Sequence, residues 1–167
     1  MKAEPALLSD AADIARIQVD AWRAAYRGQM PEALLDSLDV EARECVWTRV
    51  ISEAGQVLVA RSGLHIFGFC DFGASRDADR QPQTAELYSL YVHPTRWNQG
   101  LGSLLLQTAL DAATQRGFTE MTCWVLHKNQ PALAFYARHS FHPDGGQKTE
   151  AVKGGELRET RLRRTLA

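Results

Sequence analysis

The chain has 167 residues, 45% of them hydrophobic and 23% charged, which suits one domain burying roughly 70% of its unfolded surface. Nineteen basic against 20 acidic residues leave a formal charge of -1, so no broad basic footprint recommends nucleic acid as partner. Twelve Gly and six Pro exclude a collagenous or low-complexity chain, and three scattered cysteines, Cys45, Cys70 and Cys123, exclude a disulfide framework and read as buried thiols. Glu4, Asp10 and Asp13 interrupt any signal-peptide core, and no apolar run approaches a membrane span. The expectation is a soluble, cytoplasmic chain forming a single domain over residues 1–167, without internal repeats.

In chain order, Ile14, Ile17, Gln18, Ala21, Trp22 and Ala25 mark one helical stripe, with Ser9 or Asp10 as cap and Arg27-Gly28 as stop. Pro31 opens a short turn through Leu34, Leu35 and Leu38. Asp39 caps a second helix carrying Ala42, Val46, Trp47, Val50 and Ile51, which Gly55 stops. The period then changes. Residues 56–60 and 65–72 are β-branched and aromatic runs split by Ser62-Gly63, a hairpin signature. A polar loop over 73–85 leads to a strand over 86–92, ended by Pro94. A helix over 100–116 turns Leu101, Leu104, Leu105, Ala109 and Ala112 inward, and Gly117 closes it. A strand over 121–126, a short helix over 131–139 and a strand starting at Phe141 follow. The segment 144–155, with two Gly-Gly pairs, reads as a loop, and 156–166 as the final strand. The order is ααβββαβαββ, a mixed α/β sheet in which one helix joins two parallel strands.

Residues 86–102, ELYSLYVHPTRWNQGLG, place glycines where a strand turns into a helix. Glycine lets backbone N–H groups approach a ligand, and the helix N-terminus adds partial positive charge, so the junction suits an anion. A dinucleotide fingerprint needs a third glycine where Leu105 stands, and a P-loop needs a lysine after Gly102, where Ser103 stands. A nucleotide-binding reading therefore lacks its residues. Alone, the two glycines also suit a tight turn.

Residues 129–141, NQPALAFYARHSF, follow about 30 residues on. With Tyr91-Val92-His93-Pro94 before the glycine turn, they make the chain resemble the GCN5-related N-acetyltransferase (GNAT) superfamily. In that family a strand ending near V-x-P leads into Q/R-x-x-G-x-G/A, and N-x-x-A-x-x-F-Y-x-x-x-G-F comes later. The likeness covers roughly residues 86–141, and extends to the N-terminal helices and first hairpin by element order. It implies the GNAT fold and direct transfer of an acetyl group from acetyl-CoA to a primary amine of a small molecule or peptide. A second reading on the same fold is a non-catalytic acyl-CoA-binding sensor or assembly module. A homodimer stays open, because many relatives pair.

The resemblance further implies residue roles. Backbone groups of Leu90, Tyr91 and Val92 would pair with the pantetheine arm as an added strand. The N–H groups of Asn98, Gln99, Gly100, Leu101, Gly102 and Ser103 would cradle the pyrophosphate. Asn129 would bond the pantetheine, and Tyr136 would stand beside the thioester sulfur as acid for the departing thiolate. Tyr136 also suits a packed core aromatic. Glu86, six residues before Val92 and on its face by simple alternation, resembles the base of the histone-acetylating branch, and equally suits a solvated strand-start carboxylate. Tyr26 and Arg27, leaving the first helix, are candidates for the acceptor pocket, whereas Trp22 fits the core stripe. His93 reads as a turn residue and His127 as a pocket-lining one. Two departures stand out: Trp97, beside Arg96, occupies the family's Arg/Gln position, and Ser140 replaces the glycine before Phe141. No metal site is expected, since His139 and His142 straddle a helix end without a third ligand.

Overall fold

The computed structural model describes residues 1–53 and 56–166. Gly55, the expected stop of the second helix, lies outside the described residues. The chain opens on a short strand β1 (Lys2–Pro5), then runs through α1 (Ala11–Ala25), α2 (Glu32–Asp36) and α3 (Val40–Ser52). Strands β2 (Gln56–Ser62), β3 (His65–Ala74) and β4 (Thr84–Val92) follow, then α4 (Leu101–Gln115), β5 (Glu120–Leu126), α5 (Gln130–Arg138), β6 (His142–Val152) and β7 (Gly155–Thr165). The sheet order is β1-β2-β3-β4-β5-β7-β6, and among the described residues of these strands only the β4–β5 pairing, joined through α4, is parallel. This is the mixed α/β architecture expected, with differences at both edges.

β1 was not expected, because KAEP carries no apolar alternation. It forms because β2 offers a free edge, pairing Lys2 with Arg61 through Pro5 with Leu58, and proline is tolerated on an edge strand. At the other edge, β6 runs through the expected 144–155 loop. Its glycines explain this. Gly145 has φ +92° inside a bulge between Pro143 and Gln147, and a Cβ on Gly146 would sit 2.7 Å from Arg161 Nε. The second pair makes the β6–β7 turn: Gly154 has φ +87°, and its Cβ would meet Ala33 at 3.1 Å, so the hairpin tip packs on α2.

Helix periods place the core. α4 buries Leu101, Leu105, Leu106, Ala109, Leu110 and Ala113 against one sheet face, with Leu104 and Ala112 half-buried at the margin of the stripe. α1 and α3 cover the other face through Ile14, Ala15, Ile17 and Trp47, which meet Val57, Val59 and Phe69. Asp39 caps α3, its side chain accepting the Ala42 N–H at 2.9 Å. Asp10 sits at the start of α1, yet its carboxylate accepts the Leu7 N–H and pairs with Arg61, so it ties β2 to the helix instead of capping it. Cys70 and Cys123 are buried, and desolvation raises both thiols; Cys45, expected buried, is exposed on α3. Among the described residues no helix is long and apolar enough to cross a membrane.

Candidate active site

Two irregularities in β4 create the site. The first is a bulge: Asp71 pairs with Ser89 and Phe72 with Leu87, leaving Tyr88 as an extra residue. Alternation resumes one residue out of step. Leu87 and Val92 therefore both face α4, while Glu86, Ser89 and Tyr91 face α1. The expected common face for Glu86 and Val92 is corrected by this bulge.

The second is a parting of strands. Parallel pairing of β4 with β5 runs from Thr84–Glu120 to Leu87–Cys123, and β5 then continues beside β7 while β4 ends without that neighbour. The slot between them is edged by β4 backbone. The His93 N–H donates to Phe67 O at 2.8 Å, so antiparallel alternation turns the Tyr91 peptide groups to β3 and those of Leu90 and Val92 to the slot. Of the three residues expected to pair with an extended ligand, Leu90 and Val92 therefore have the right orientation, and Tyr91 contributes its side chain instead. The Val92 carbonyl accepts the Trp97 indole N–H at 2.7 Å. Trp97 thus pins the glycine turn to the end of β4, where the family pattern has Arg or Gln.

The turn itself is concave. Asn98 (φ +59°) and Gly100 (φ +81°) are left-handed on either side of Gln99, and Gly100 opens α4. The N–H groups of Leu101, Gly102 and Ser103 belong to the first turn of that 15-residue helix, which leaves such donors free. Alternating left-handed turns and a helix start together form an anion-binding hollow. Gly102 must stay small, because a Cβ would lie 3.3 Å from the Phe135 ring on α5. The Ser103 hydroxyl meets His139 Nε2 at 2.9 Å, joining the turn to the end of α5.

Slot and turn open into one cleft of about 810 Å³ that includes Tyr26, Leu90, Tyr91, Val92, Asn98, Gly100, Leu101, Gly102, Ser103, Asn129 and Tyr136. The structure thus gathers eleven of the sequence-derived candidates. Its charged lining consists of Arg96 and Arg138, both cationic. Sequence reasoning missed Ala21, Ala24, Ala25 and Gln29, which wall the cleft from α1 and the segment after it, and Pro131, Ala132, Phe135 and Arg138 on α5. A signal for the α5 group exists in its 3.6-residue period; none marks the α1 wall.

Gln99 and Arg27 lie outside the cleft lining, and His127 lines a separate hollow of about 260 Å³ with Lys148, Arg158 and Glu159. Asn129 caps α5, its side chain accepting the Ala132 N–H at 3.2 Å. His93 accepts from Thr95 N–H and faces Asp20 on α1 at 3.5 Å. Tyr136 satisfies both of its sequence readings at once. It is 8% exposed, packs edge-on to Phe135 and Phe141, and still borders the cleft. Burial holds its phenol well above the ordinary value, so the O–H stays protonated.

Glu86 is 2% exposed and is not a solvated carboxylate. Arg76, from the loop after β3, clasps it with three donors: Nη2 to Oε1 at 2.6 Å, and Nε and backbone N–H to Oε2 at 3.3 and 2.9 Å. On the same face, the Asp71 carboxylate accepts the Ser89 hydroxyl. Among the described residues no group of three or more His, Cys, Asp or Glu side chains could hold a metal ion.

A mixed sheet whose central strands part over a cationic glycine turn defines an α/β fold with an anion-binding cleft, and comparison with known proteins gives the family. Residues 12–141 match the family model described as Acetyltransferase (GNAT) family. The chain is 34% identical to the uncharacterised N-acetyltransferase YuaI of Bacillus subtilis, over 81% of this chain and 76% of that one. It is 32% identical to the L-amino acid N-acyltransferase MnaT of Escherichia coli, over 57% of this chain and 55% of that one. Among solved structures, the ribosomal-protein-alanine N-acetyltransferase of Brucella melitensis superposes with TM-score 0.78 at 20% identity, covering 99% of this chain and 100% of that one. The protein yncA of Salmonella typhimurium, solved with its cofactor acetyl-CoA, superposes with TM-score 0.76 at 24% identity, covering 100% of this chain and 94% of that one. This chain belongs to the GNAT acetyltransferase family.

Proposed function

We propose that the protein transfers the acetyl group of acetyl-CoA directly to the primary amine of a small molecule or peptide, with amino acids as the first acceptors to try. The observation that carries this reading is the continuous cleft from the cationic glycine turn, along the free edge of β4, to Tyr136. Backbone N–H groups from Asn98 to Ser103, with Arg96 and Arg138, suit the pyrophosphate and phosphate charges of the donor. The slot-facing peptide groups of Leu90 and Val92, together with Asn129, suit its pantetheine arm.

The reaction asks three things of this frame. The amine must lose a proton, the carbonyl oxygen must be stabilised as charge develops, and the thiolate must be protonated as the C–S bond breaks. The Leu90 N–H, turned into the slot, serves the oxygen. Tyr136 donates its proton to the sulfur, a role suited to a phenol whose pKa burial has raised. The acceptor approaches from the α1 face, past Tyr26, Gln29 and Tyr91, which line the cleft there.

Amino acids come first because MnaT is an L-amino acid N-acyltransferase and a second relative, 29% identical over 59% of this chain, is an L-methionine sulfoximine/L-methionine sulfone acetyltransferase of Salmonella typhimurium. The test is release of free coenzyme A thiol from acetyl-CoA against a panel of amino acids, polyamines, aminoglycosides and N-terminal peptides. Turnover with at least one amine, and an N-acetylated product by mass, is expected. Tight acetyl-CoA binding with no amine accelerating thiol release would instead establish the sensor or assembly role.

A further inference from the structure

The bulge at Tyr88 sets Ser89 on the α1 face opposite a second carboxylate, Asp71 on β3, whose surroundings differ from those of Glu86. Both Glu86 oxygens already accept from Arg76, through three hydrogen bonds. A proton arriving there would displace a charge-assisted clasp. Asp71, across from Ser89 in the β3–β4 pairing, is 8% exposed, and its side-chain donor is the Ser89 hydroxyl. Ser89 is half-buried, directly precedes Leu90, and by strand alternation shares the α1 face with Tyr91, which lines the cleft two residues on. It is thus the outward end of a two-member chain whose inward end is the Asp71 carboxylate.

We propose that the Ser89 hydroxyl and the Asp71 carboxylate form the proton acceptor for the incoming amine, while Glu86 serves to hold Arg76. This rests on the reading that the acetyl carbonyl lies beside Leu90. Ser89 is the catalytic residue of the pair, touching the amine, and Asp71 is the positioning residue that holds the proton. In the step, the ammonium N–H bond breaks and its proton moves to Ser89 Oγ, as the Ser89 O–H proton moves to Asp71 Oδ1. The nitrogen lone pair then forms the bond to the acetyl carbon. As the C–S bond breaks, Tyr136 gives its proton to the thiolate, and the acylated nitrogen loses its second proton to restore Tyr136. Asp71 returns its own proton to water after product leaves.

The surroundings suit the task. Burial lifts the Asp71 carboxyl to about 6, overcoming the opposing pull of Ser89 and of the Arg76 guanidinium, and the Glu86 charge lifts it further. From β2 the cross-strand neighbour is Val57, which is apolar, and on β4 the Tyr88 phenol also feels the Asp71 charge. A group titrating near the working pH is the one best able to take and release a proton.

The experiment compares Asp71→Asn, Ser89→Ala and Glu86→Gln with the wild type, on an amine found in the panel, as kcat and KM over about pH 5 to 9. Asn keeps the shape of Asp and a hydrogen bond to Ser89, so folding is expected to survive. Asp71→Asn should lower kcat by about 10²-fold, leave KM for acetyl-CoA unchanged, and remove the acid limb near pH 6. Ser89→Ala should lower kcat by about tenfold, because a water can stand in for the hydroxyl. Glu86→Gln should keep the acid limb. In parallel, ¹³C-labelled aspartate in the whole protein, with the Asp71 signal assigned by its loss in Asp71→Asn, should show that carboxyl titrating near pH 6 and shifting in Ser89→Ala. Wild-type kcat with an intact acid limb in Asp71→Asn, or loss of that limb in Glu86→Gln, overturns the relay. So does an Asp71 signal that does not titrate between about pH 5 and 8. Absence of wild-type turnover on every amine defeats the functional reading itself, and is told apart because it appears before any variant is made.

Discussion

At the scale of single residues, Tyr136 and Asp71 show one force used in opposite senses. Burial raises both, keeping the phenol protonated as a donor and bringing the carboxyl up to about 6. Tyr136→Phe retains the ring that packs on Phe135 and Phe141, so acetyl-CoA affinity by calorimetry should be unchanged while kcat falls about 10²–10⁴-fold. Full kcat in this variant would mean that water protonates the thiolate. Asp71 carries a second, thermodynamic expectation. Its folded value of about 6 exceeds the ordinary 3.8, so the folded state binds the proton more tightly. The resulting stabilisation is complete below about pH 4 and is lost as pH rises through about 6. Asp71→Asn, which cannot ionise, should therefore be more stable than wild type above pH 6, by up to about 3 kcal/mol. The gain should vanish near pH 4. Denaturant unfolding at the two pH values measures it; a variant equally destabilised at both would show that the carboxylate is structurally required.

At the scale of elements, the turn from β4 into α4 does most to shape the cleft. Its left-handed residues, the helix start and the Trp97–Val92 hydrogen bond fix the same concave surface from three directions. Gly102 sits where that surface meets α5. Gly102→Val would push branches into the Phe135 ring, already 3.3 Å from the position of a first carbon. Acetyl-CoA affinity should fall at least tenfold while the unfolding midpoint changes little, because Phe135 is only half-buried. Unchanged affinity in the folded variant would remove the phosphate assignment from the turn. Arg96→Ala should cost less than Gly102→Val. The Arg96 guanidinium, stacked 4.4 Å over Phe67, offers one charge, whereas the backbone donors remain.

At the scale of the whole molecule, the loop before β4 is locked to the far edge of the sheet by one guanidinium. Arg161 on β7, 5% exposed, bonds Asp77 at 3.0 Å, Asp79 at 2.7 Å and Asp144 at 3.0 Å, and Arg80 reaches the same Asp144. Arg161→Met unpairs Asp77 and the largely exposed Asp79 while Asp144 keeps Arg80, so it should destabilise the protein by about 1–3 kcal/mol. The pairing also sets a pH dependence. Arg161 holds the Asp79 carboxyl down at about 2, below its ordinary 3.8, so this contribution is present above about pH 4 and lost as pH falls toward 2. Wild-type thermal midpoints should drop across that window, and Arg161→Met should flatten the drop. Because Arg76, the clasp on Glu86, lies in the same loop, loss of the lock should also lower kcat.

The sequence by itself determined what depends on residues a few positions apart. The α1 and α4 stripes, the Asp39 cap, the Ser62-Gly63 hairpin, the parallel crossover and the glycine turn follow from periods, caps and turn chemistry that neighbours set. The two motif segments were legible for the same reason. Each is continuous in the chain, so Asn98–Ser103, Asn129 and Tyr136 could be named as candidates before any fold was known. Tertiary structure alone decided what depends on partners far away. β1 exists because β2 has an open edge, and β6 survives its glycines because Arg161 leaves no space for a Cβ. The bulge at Tyr88 is set by pairing with β3, and it inverts the face on which Glu86 lies. Glu86 then meets Arg76 ten residues earlier, and Asp71 meets Ser89 eighteen residues later. Such contacts follow strand register and ion pairing between distant segments, which no local pattern encodes.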